Sequence, residues 1–492
     1  MPVIHRLRFV IAALGLLLTA SCAVGPNFKQ PPAPQVGGYT PAPITTTAST
    51  PEVAGGEAQH IVEAHDIPGE WWTLFHSKQL NDLIERSLKA NPDLKSAQAA
   101  LLVAQENVRA QRGFYYPNAA ASFTADRSRT SSQLSPVLNA PIFLYSLYTP
   151  QVSVSFMPDV FGLNRRTVES LKAQAEQARF ALAATHITLS SNVAAAAVQE
   201  ASLRAQIGAT HELITINTNM LQILREQFAK GYVSRLDVAQ QESQLAQVAA
   251  TLPPLMKQLE QNRDLLAALS GGFPNQDLPE KFELSALTLP QELPLTLPSQ
   301  LVEQRPDVRQ AEENWHFASA QIGEARANRL PSFPLTADVG SAAVGAANIF
   351  GPGTLFWDLA GSVTQPVFTG GTLLHRERAA RDAYVQAGEQ YRSTVLTAFE
   401  NVADTLHALK EDADALKAAS AAKDAAAVTL DLASKQVHAG YANYLALLNA
   451  EQMYQQAMIT LAQAQANRYL DTAALFQALG GGWWNRLDVP KA

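Results

Sequence analysis

The side chains with the most chemical potential in this chain are a single thiol and ten imidazoles. Cys22, the only cysteine, rules out an internal disulfide framework, a cysteine-based zinc site and an iron–sulfur cluster within one chain. It closes the run Thr19-Ala20-Ser21-Cys22, behind a basic stretch (His5, Arg6, Arg8) and an apolar run from Phe9 to Ala20. That run is too short to span a bilayer core but suits the apolar region of a signal peptide. Small residues ending in the lone thiol then read as a lipoprotein box, with residues 1–21 removed and Cys22 acylated. The covalent lipid is the only non-protein group this reading calls for. The histidines form no ligand set: His60 and His65 sit at non-ligand spacing, and His186, His211 and His407 fall within long helical patterns. No nucleophile elbow, phosphate loop, dinucleotide fingerprint or HExxH pattern occurs. The sequence therefore reads as a non-enzyme, with no catalytic, cofactor-binding or metal site. Trp71-Trp72 and Trp483-Trp484 suggest sugar stacking in isolation; at the ends of the helical body they read better as packing.

Composition narrows the class further. The 492 residues are 47% apolar, ample for a folded core and roughly three domains' worth of chain. Only 16% are charged, against about 25% in an average soluble domain. The formal charge of -7, becoming -9 once Arg6 and Arg8 leave with the signal, opposes binding to nucleic acid.

The elements that must carry any function emerge from proline placement and from an internal repeat. Residues 22–70 hold eight prolines, all between Val24 and Pro68, and little apolar periodicity, so they read as an extended tether between lipid and body. Beyond it the chain repeats itself. Asn91-Pro92-Asp93-Leu94 recurs as Arg305-Pro306-Asp307-Val308 at an offset of 214, and Phe123-Thr124-Ala125-Asp126 echoes Leu335-Thr336-Ala337-Asp338 at 212. Gln227, Gly231, Tyr232, Leu236 and Glu242 match Gln436, Gly440, Tyr441, Leu445 and Glu451 at 209. The boundaries this implies are a first repeat at 71–272, a proline-rich crossing at 273–298, a second repeat at 299–482 and a tail at 483–492.

Within each repeat, proline-free runs from Asp159 to Leu252 and from Val367 to Val489, rich in Ala, Gln, Leu and Glu, predict very long helices. Leu171, Ala175, Ala178, Leu182, Thr185 and Leu189, and likewise Leu396, Phe399, Ala403 and Leu406, follow a coiled-coil spacing and are the expected seams. A helix from Leu163 to Ala229 would run roughly 100 Å. Gly231 and Gly440 then turn each run back as a hairpin. Between helices lie two charge-free segments, Thr130 to Met157 and Val339 to Trp357. Val152, Val154 and Phe156 alternate with serines, and Trp357, Leu359, Gly361 and Val363 alternate with Asp358, Ala360, Ser362 and Thr364. With Phe123/Ala125 and Phe333/Leu335/Ala337, four membrane strands are expected, with Tyr145, Tyr148 and Trp357 as an interfacial belt. Four strands cannot close a barrel, and open edges in lipid leave backbone groups unsatisfied, so the chain must oligomerise.

This plan resembles the TolC-like outer-membrane factors of tripartite efflux systems, in particular their lipoprotein NodT branch. The resemblance rests on Val24-Gly25-Pro26-Asn27-Phe28 after the lipoprotein box, Asp159-Val160-Phe161-Gly162 with Asn164-Arg165-Arg166, Leu297-Pro298-Ser299-Gln300-Leu301 leading to Arg305, and the ending Ala478-Leu479-Gly480-Gly481-Gly482-Trp483. It implies a mixed α/β membrane protein: a homotrimer with a twelve-stranded transmembrane β-barrel, four strands per chain, continuing into a periplasmic α-helical barrel with a two-fold internal repeat. It implies a passive outer-membrane duct for small molecules, fed by a periplasmic adaptor and an inner-membrane pump. A type I protein-secretion duct and a non-channel scaffolding lipoprotein are the alternatives. The resemblance also puts adaptor contacts at Gly231, Tyr232, Ser234, Arg235, Leu236, Gly440, Tyr441, Asn443 and Tyr444. A periplasmic gate falls at Leu445 and Asn449 on the second tip, joined by Asp237 at the first tip beside Arg235, which resembles a position that ties neighbouring helices together; Asn449 stands where an acid is common in the family.

Overall fold

The computed structural model describes residues 23–129, 144–439, 441 and 444–486. Cys22 and part of the first charge-free segment lie outside them. Eight α-helices are found among the described residues: α1 (Lys78–Ala90), α2 (Pro92–Arg112), α3 (Leu163–Ala229), α4 (Arg235–Leu269), α5 (Pro298–Gln304), α6 (Pro306–Ala327), α7 (Thr372–His438) and α8 (Tyr444–Ala478). The strands are β1 (His60–Glu63), β2 (Asn118–Arg129), β3 (Leu144–Phe156), β4 (Glu292–Leu295), β5 (Leu335–Ser341) and β6 (Leu355–Gly361). Helices α7 and α8 repeat α3 and α4 at an offset of 209 residues, with identical lengths of 67 and 35 residues.

The duplication extends to individual hydrogen bonds. Asn91 donates from Nδ2 to the carbonyl of Leu269, the last residue of α4, and Arg305 donates to the carbonyl of Ala478, the last residue of α8. Each closes an orphan carbonyl at a helix end. The recurring Asn/Arg-Pro-Asp motif is thus a helix-end clamp. In α4 the helix runs through Pro253 and Pro254, beyond the proline-free stretch. Both prolines are exposed, as are Ala249 and Ala250, whose carbonyls lose a donor there, so water can satisfy them.

The chain packs as two compact units. The first comprises residues up to Gln30, Leu101–Gln177 and Ala311–Tyr391. Its centre is an antiparallel sheet in the order β2-β3-β5-β6. The register runs Ala121, Val152, Val339, Trp357 along one row and Ala119, Val154, Ala337, Leu359 along the next, so one face is apolar across all four strands. The intervening row is Ala120, Ser153, Asp338, Asp358, which makes the other face polar. The expected belt is corrected by this register. Tyr148 faces the apolar side with Ala125, whereas Tyr145 pairs with Ser128 on the polar side, because three residues along a strand reverse the face. Within this sheet β2 and β6 each have one unpaired edge.

The second unit comprises Pro31–Ala100, Ala178–Gln310 and the chain from Arg392 onward. In it α3 is covered on most sides around Phe180 to Gln206. A stretch of α3 is apolar enough to cross a bilayer, but 67% of it is buried inside the chain, as a core helix requires. The seam of α7 is only partly as expected: Leu406 is buried, but with Val395, Ala398, Val402 and Leu409, while Leu396 is 64% exposed. In an alanine-rich helix several stripes are equally apolar, and packing selects among them.

The proline-rich tether is extended but not free. Its β1 pairs in parallel with β4 of the 273–298 crossing, Tyr39 donates its hydroxyl to the carbonyl of Thr296, and the buried Arg468 donates to the carbonyls of Gly55 and Glu57. A segment poor in internal hydrogen bonds finds partners on the body instead. Trp71 stacks on Phe476 with ring centroids 5.3 Å apart, and Trp483 donates Nε1–H to the carbonyl of Gln304 at 2.7 Å, so both tryptophan pairs serve packing.

Candidate functional site at the hairpin tips

Two turns join the long helices, and both are built by the same bond. In the first, the N–H of Tyr232 returns to the carbonyl of Gln227 at 2.9 Å and that of Gly231 to Phe228 at 2.9 Å. Gly231 takes a left-handed φ of +78°, a conformation that disfavours any residue with a Cβ. In the second, the N–H of Tyr441 returns to the carbonyl of Gln436, also at 2.9 Å. Gly440 and Asn443 lie outside the described residues.

Ser234 starts α4 with a capping box. Its Oγ accepts from the N–H of Asp237, while its own N–H donates to Asp237 Oδ2 at 2.8 Å. The Ser234 hydroxyl and N–H hold the Asp237 carboxyl below the usual range. Asp237, expected beside the gate, thus has a local role in forming the turn. The pattern Ser-x-x-Asp before an apolar residue was the available signal for it.

What the tips present outward is aromatic and aliphatic. Tyr232 is 78% exposed, Tyr441 88% and Leu236 66%. Gly231, Ser234 and Arg235 are exposed with them. Arg225 and Arg235 approach Glu242 at 2.9 and 3.5 Å, and Arg225 holds its carboxyl below the ordinary range. Tyr444 departs from the expectation of a contact surface. It is buried against Met220, Leu221, Leu224, Val238 and Leu447, because the spacing Tyr444, Leu447 puts it on the inward face of α8. Leu445 and Asn449, one turn apart, occupy the exposed face.

Glu451 was the residue least visible from sequence. It follows Leu447 by four positions on the inward face, is 1% exposed and has no partner for either carboxylate oxygen; burial pushes its carboxyl up to about 7. Its spacing from Tyr444 and Leu447 was the available signal.

The motifs near the chain start also find their partners. Arg166 donates to the carbonyls of Val24 and Gly25 and to Asn27 Oδ1, and the N–H of Val24 donates to the carbonyl of Phe161. Asp159 accepts from the N–H groups of Asn164 and Arg165 and so caps the start of α3. Phe28 stacks on His316 at 4.7 Å, and Glu169 and Glu313 flank that imidazole, raising it to about 9.

Nothing in these arrangements pairs a nucleophile with a base, and among the described residues no cluster of His, Asp, Glu or Cys is placed to hold a metal. A sheet with one apolar and one polar face, joined by duplicated helical hairpins of 67 and 35 residues with exposed tips, defines an outer-membrane channel-type protein rather than a catalyst. The outer membrane efflux protein family model matches residues 83–272 and 297–481, and the chain belongs to that family. It is 30% identical over 494 residues to the toluene efflux pump outer membrane protein TtgF of Pseudomonas putida, covering 99% of both chains. Among solved structures it is similar to the outer-membrane channel OprN (TM-score 0.83, 24% identity, 94% of this chain and 100% of that one). It is also similar to the MtrE outer membrane channel of Neisseria gonorrhoeae in its open state (TM-score 0.80, 25% identity, 94% and 99%). The protein is accordingly an outer-membrane efflux protein, the exit duct of an efflux pump, and makes or breaks no bond itself.

Proposed function

We propose that three copies of this chain close a twelve-stranded barrel, with the unpaired edge of β2 in one copy pairing with β6 of the next. The observation that carries this reading is the sheet itself: it has two open edges, and its apolar face extends across all four strands. Lipid would leave those edge N–H and C=O groups unsatisfied at several kcal/mol each, so closure has to come from further copies. The polar row with Asp338 and Asp358 then lines a water-filled passage. Cys22 carries the lipid anchor, one residue before the described segment that Arg166 holds through Val24 and Gly25.

The adaptor meets the tips through Tyr232, Arg235, Leu236 and Tyr441, with Gly440 and Asn443 as further contacts and with Gly231 and Ser234 shaping the first turn. Leu445 and Asn449 form the constriction, an aliphatic ring with an uncharged amide in place of an acidic one. The cargo is small and hydrophobic, the class for which the relative TtgF is named. Accumulation of fluorescent hydrophobic compounds tests this reading. Cells lacking the protein should accumulate several-fold more than cells carrying it, and wild type but not Tyr232→Ala/Tyr441→Ala should restore efflux. Unchanged accumulation across the panel, with the pump expressed, overturns the small-molecule reading.

A further inference from the structure

Glu451 is a buried carboxylate with nothing to hold its charge. It lies two turns into α8, 1% exposed, and neither oxygen has a hydrogen-bond partner. Tyr444 Oη and Gln241 Oε1 are buried and unpartnered as well. The first-hairpin counterpart, Glu242, is instead held at the surface by Arg225 and Arg235.

The ionisable groups on the flanking turns are mostly committed elsewhere or neutral. On α3 they are Arg225, which holds Glu242, and Glu226, which accepts from Gln222. On α4 they are Arg235 and Glu242, paired with each other, and Asp237, engaged by Ser234. On α7 Lys435 holds Asp431 and Lys423 holds Asp424, and α8 itself contributes the phenols Tyr444 and Tyr454, the latter near Glu212 of α3 and Lys423. None offsets the burial of Glu451, whose carboxyl is raised by desolvation alone. A neutral carboxyl fits this environment; a carboxylate does not.

Leu445 and Asn449 sit on the opposite, exposed face of the same two turns, so a displacement of Glu451 moves them too. We infer that Glu451 is a proton-operated latch: protonated, it lets α8 pack against α3 and α4 and keeps the Leu445 constriction narrow; deprotonated, it releases the start of α8 and widens it. The proton passes to periplasmic water. Only the second hairpin is switched, because Glu242 already has its charge partners. The inference rests on the conduit reading above.

Ion conductance of the full-length protein in planar bilayers tests it, with the tip side held between pH 5.5 and 8.5. Wild-type current should rise about fivefold or more across a midpoint near neutrality. Glu451→Gln, which keeps shape and removes the titration, should stay at the low-pH level throughout, and Glu242→Gln should keep the wild-type profile. A second readout is amide exchange over residues 444–452, corrected for intrinsic rates: it should accelerate above pH 7 in wild type and not in Glu451→Gln. Glu451→Gln following the wild-type curve, or a flat wild-type curve, overturns the latch and leaves the conduit standing. Absence of current from every variant at every pH, a Leu445→Gly constriction variant included, overturns the conduit and the latch together.

Discussion

Glu242 and Glu451 occupy equivalent positions 209 residues apart, yet one is a half-exposed carboxylate gripped by two arginines and the other is a sealed, unpaired acid. Gene duplication supplied the same residue twice, and divergence of the neighbours gave it two environments. Beside Glu242 stands Arg235, whereas the corresponding position 209 residues on is Tyr444, which is buried and cannot compensate a charge. Such asymmetry is where a repeated scaffold acquires a directional function.

Stability should reveal the asymmetry through pH. The carboxyl of Glu451 is raised from an ordinary 4.5 to about 7, so its folded state favours the proton. Its contribution is fully present below about 4.5 and is lost as pH rises through about 7. Wild type and Glu451→Gln should therefore melt alike at pH 4.5. At pH 8.5 the variant should be more stable by about 3 kcal/mol per chain, the linkage equivalent of that shift. Circular dichroism melts in detergent at the two pH values check this, and a pH-independent difference contradicts it.

The strand register makes a sharper demand on neighbouring residues. Val154 lies in the apolar row with Ala119, Ala337 and Leu359, and Ser153 lies in the polar row with Asp338 and Asp358. Val154→Arg should cost roughly 2–4 kcal/mol against mid-bilayer lipid and cut the yield of membrane-inserted oligomer severely. Ser153→Arg should insert normally, its charge facing water and two acids. Equal yields of the two on outer-membrane gels would refute the facing.

Much of this architecture was legible because its signals are local. Proline exclusion and Gly231 bracket α3 at Leu163–Ala229, as expected, and alternation locates all four strands of the sheet. Features set by distant packing were not. In α7 the alanine-rich surface offers several equivalent stripes, and burial chose Val395, Ala398 and Val402 over Leu396. Tyr444 looks like a tip residue by position and is a core residue by helix phase. No periodicity joins Val24–Phe28 to Arg166, nearly 140 positions away, so the tether reads as a spacer although its start is clamped. At the candidate site the turn chemistry was readable, and the burial of Glu451 was not.

The first tip depends on its capping box, and this too is separable from any partner. Ser234→Ala removes the acceptor for the Asp237 N–H and a donor to its carboxylate. The expected cost is about 1 kcal/mol, confined to the first turn of α4. Amide exchange at residues 235–238 should speed up about fivefold, with the Tyr232-to-Gln227 closure and the rest of α4 unchanged. Uniform acceleration along α4 would show that the cap supports more than the turn.

The clamp on the chain start combines a steric and an electrostatic dependence. Gly25 has a φ of +103°, and a Cβ added there would stand 2.5 Å from the Cα of Gly323, so even Gly25→Ala must displace backbone. Trypsin cleavage after the exposed Lys29, which needs the segment to lift, should become at least tenfold faster in that variant. A milder loss should appear in wild type with pH alone. Hydrogen bonds to Glu169 and Glu313 raise His316 to about 9, and Phe28 lies flat on that ring. The stabilisation from the charged imidazole is complete below about 6.5 and is lost as pH rises through about 9. Cleavage after Lys29, normalised to a free peptide of the same sequence, should therefore increase between pH 7 and 10. His316→Phe, which keeps a flat ring for Phe28 without the titration, should remove that pH dependence while Gly25→Ala retains it. A pH rise that survives in His316→Phe would assign the effect to another group.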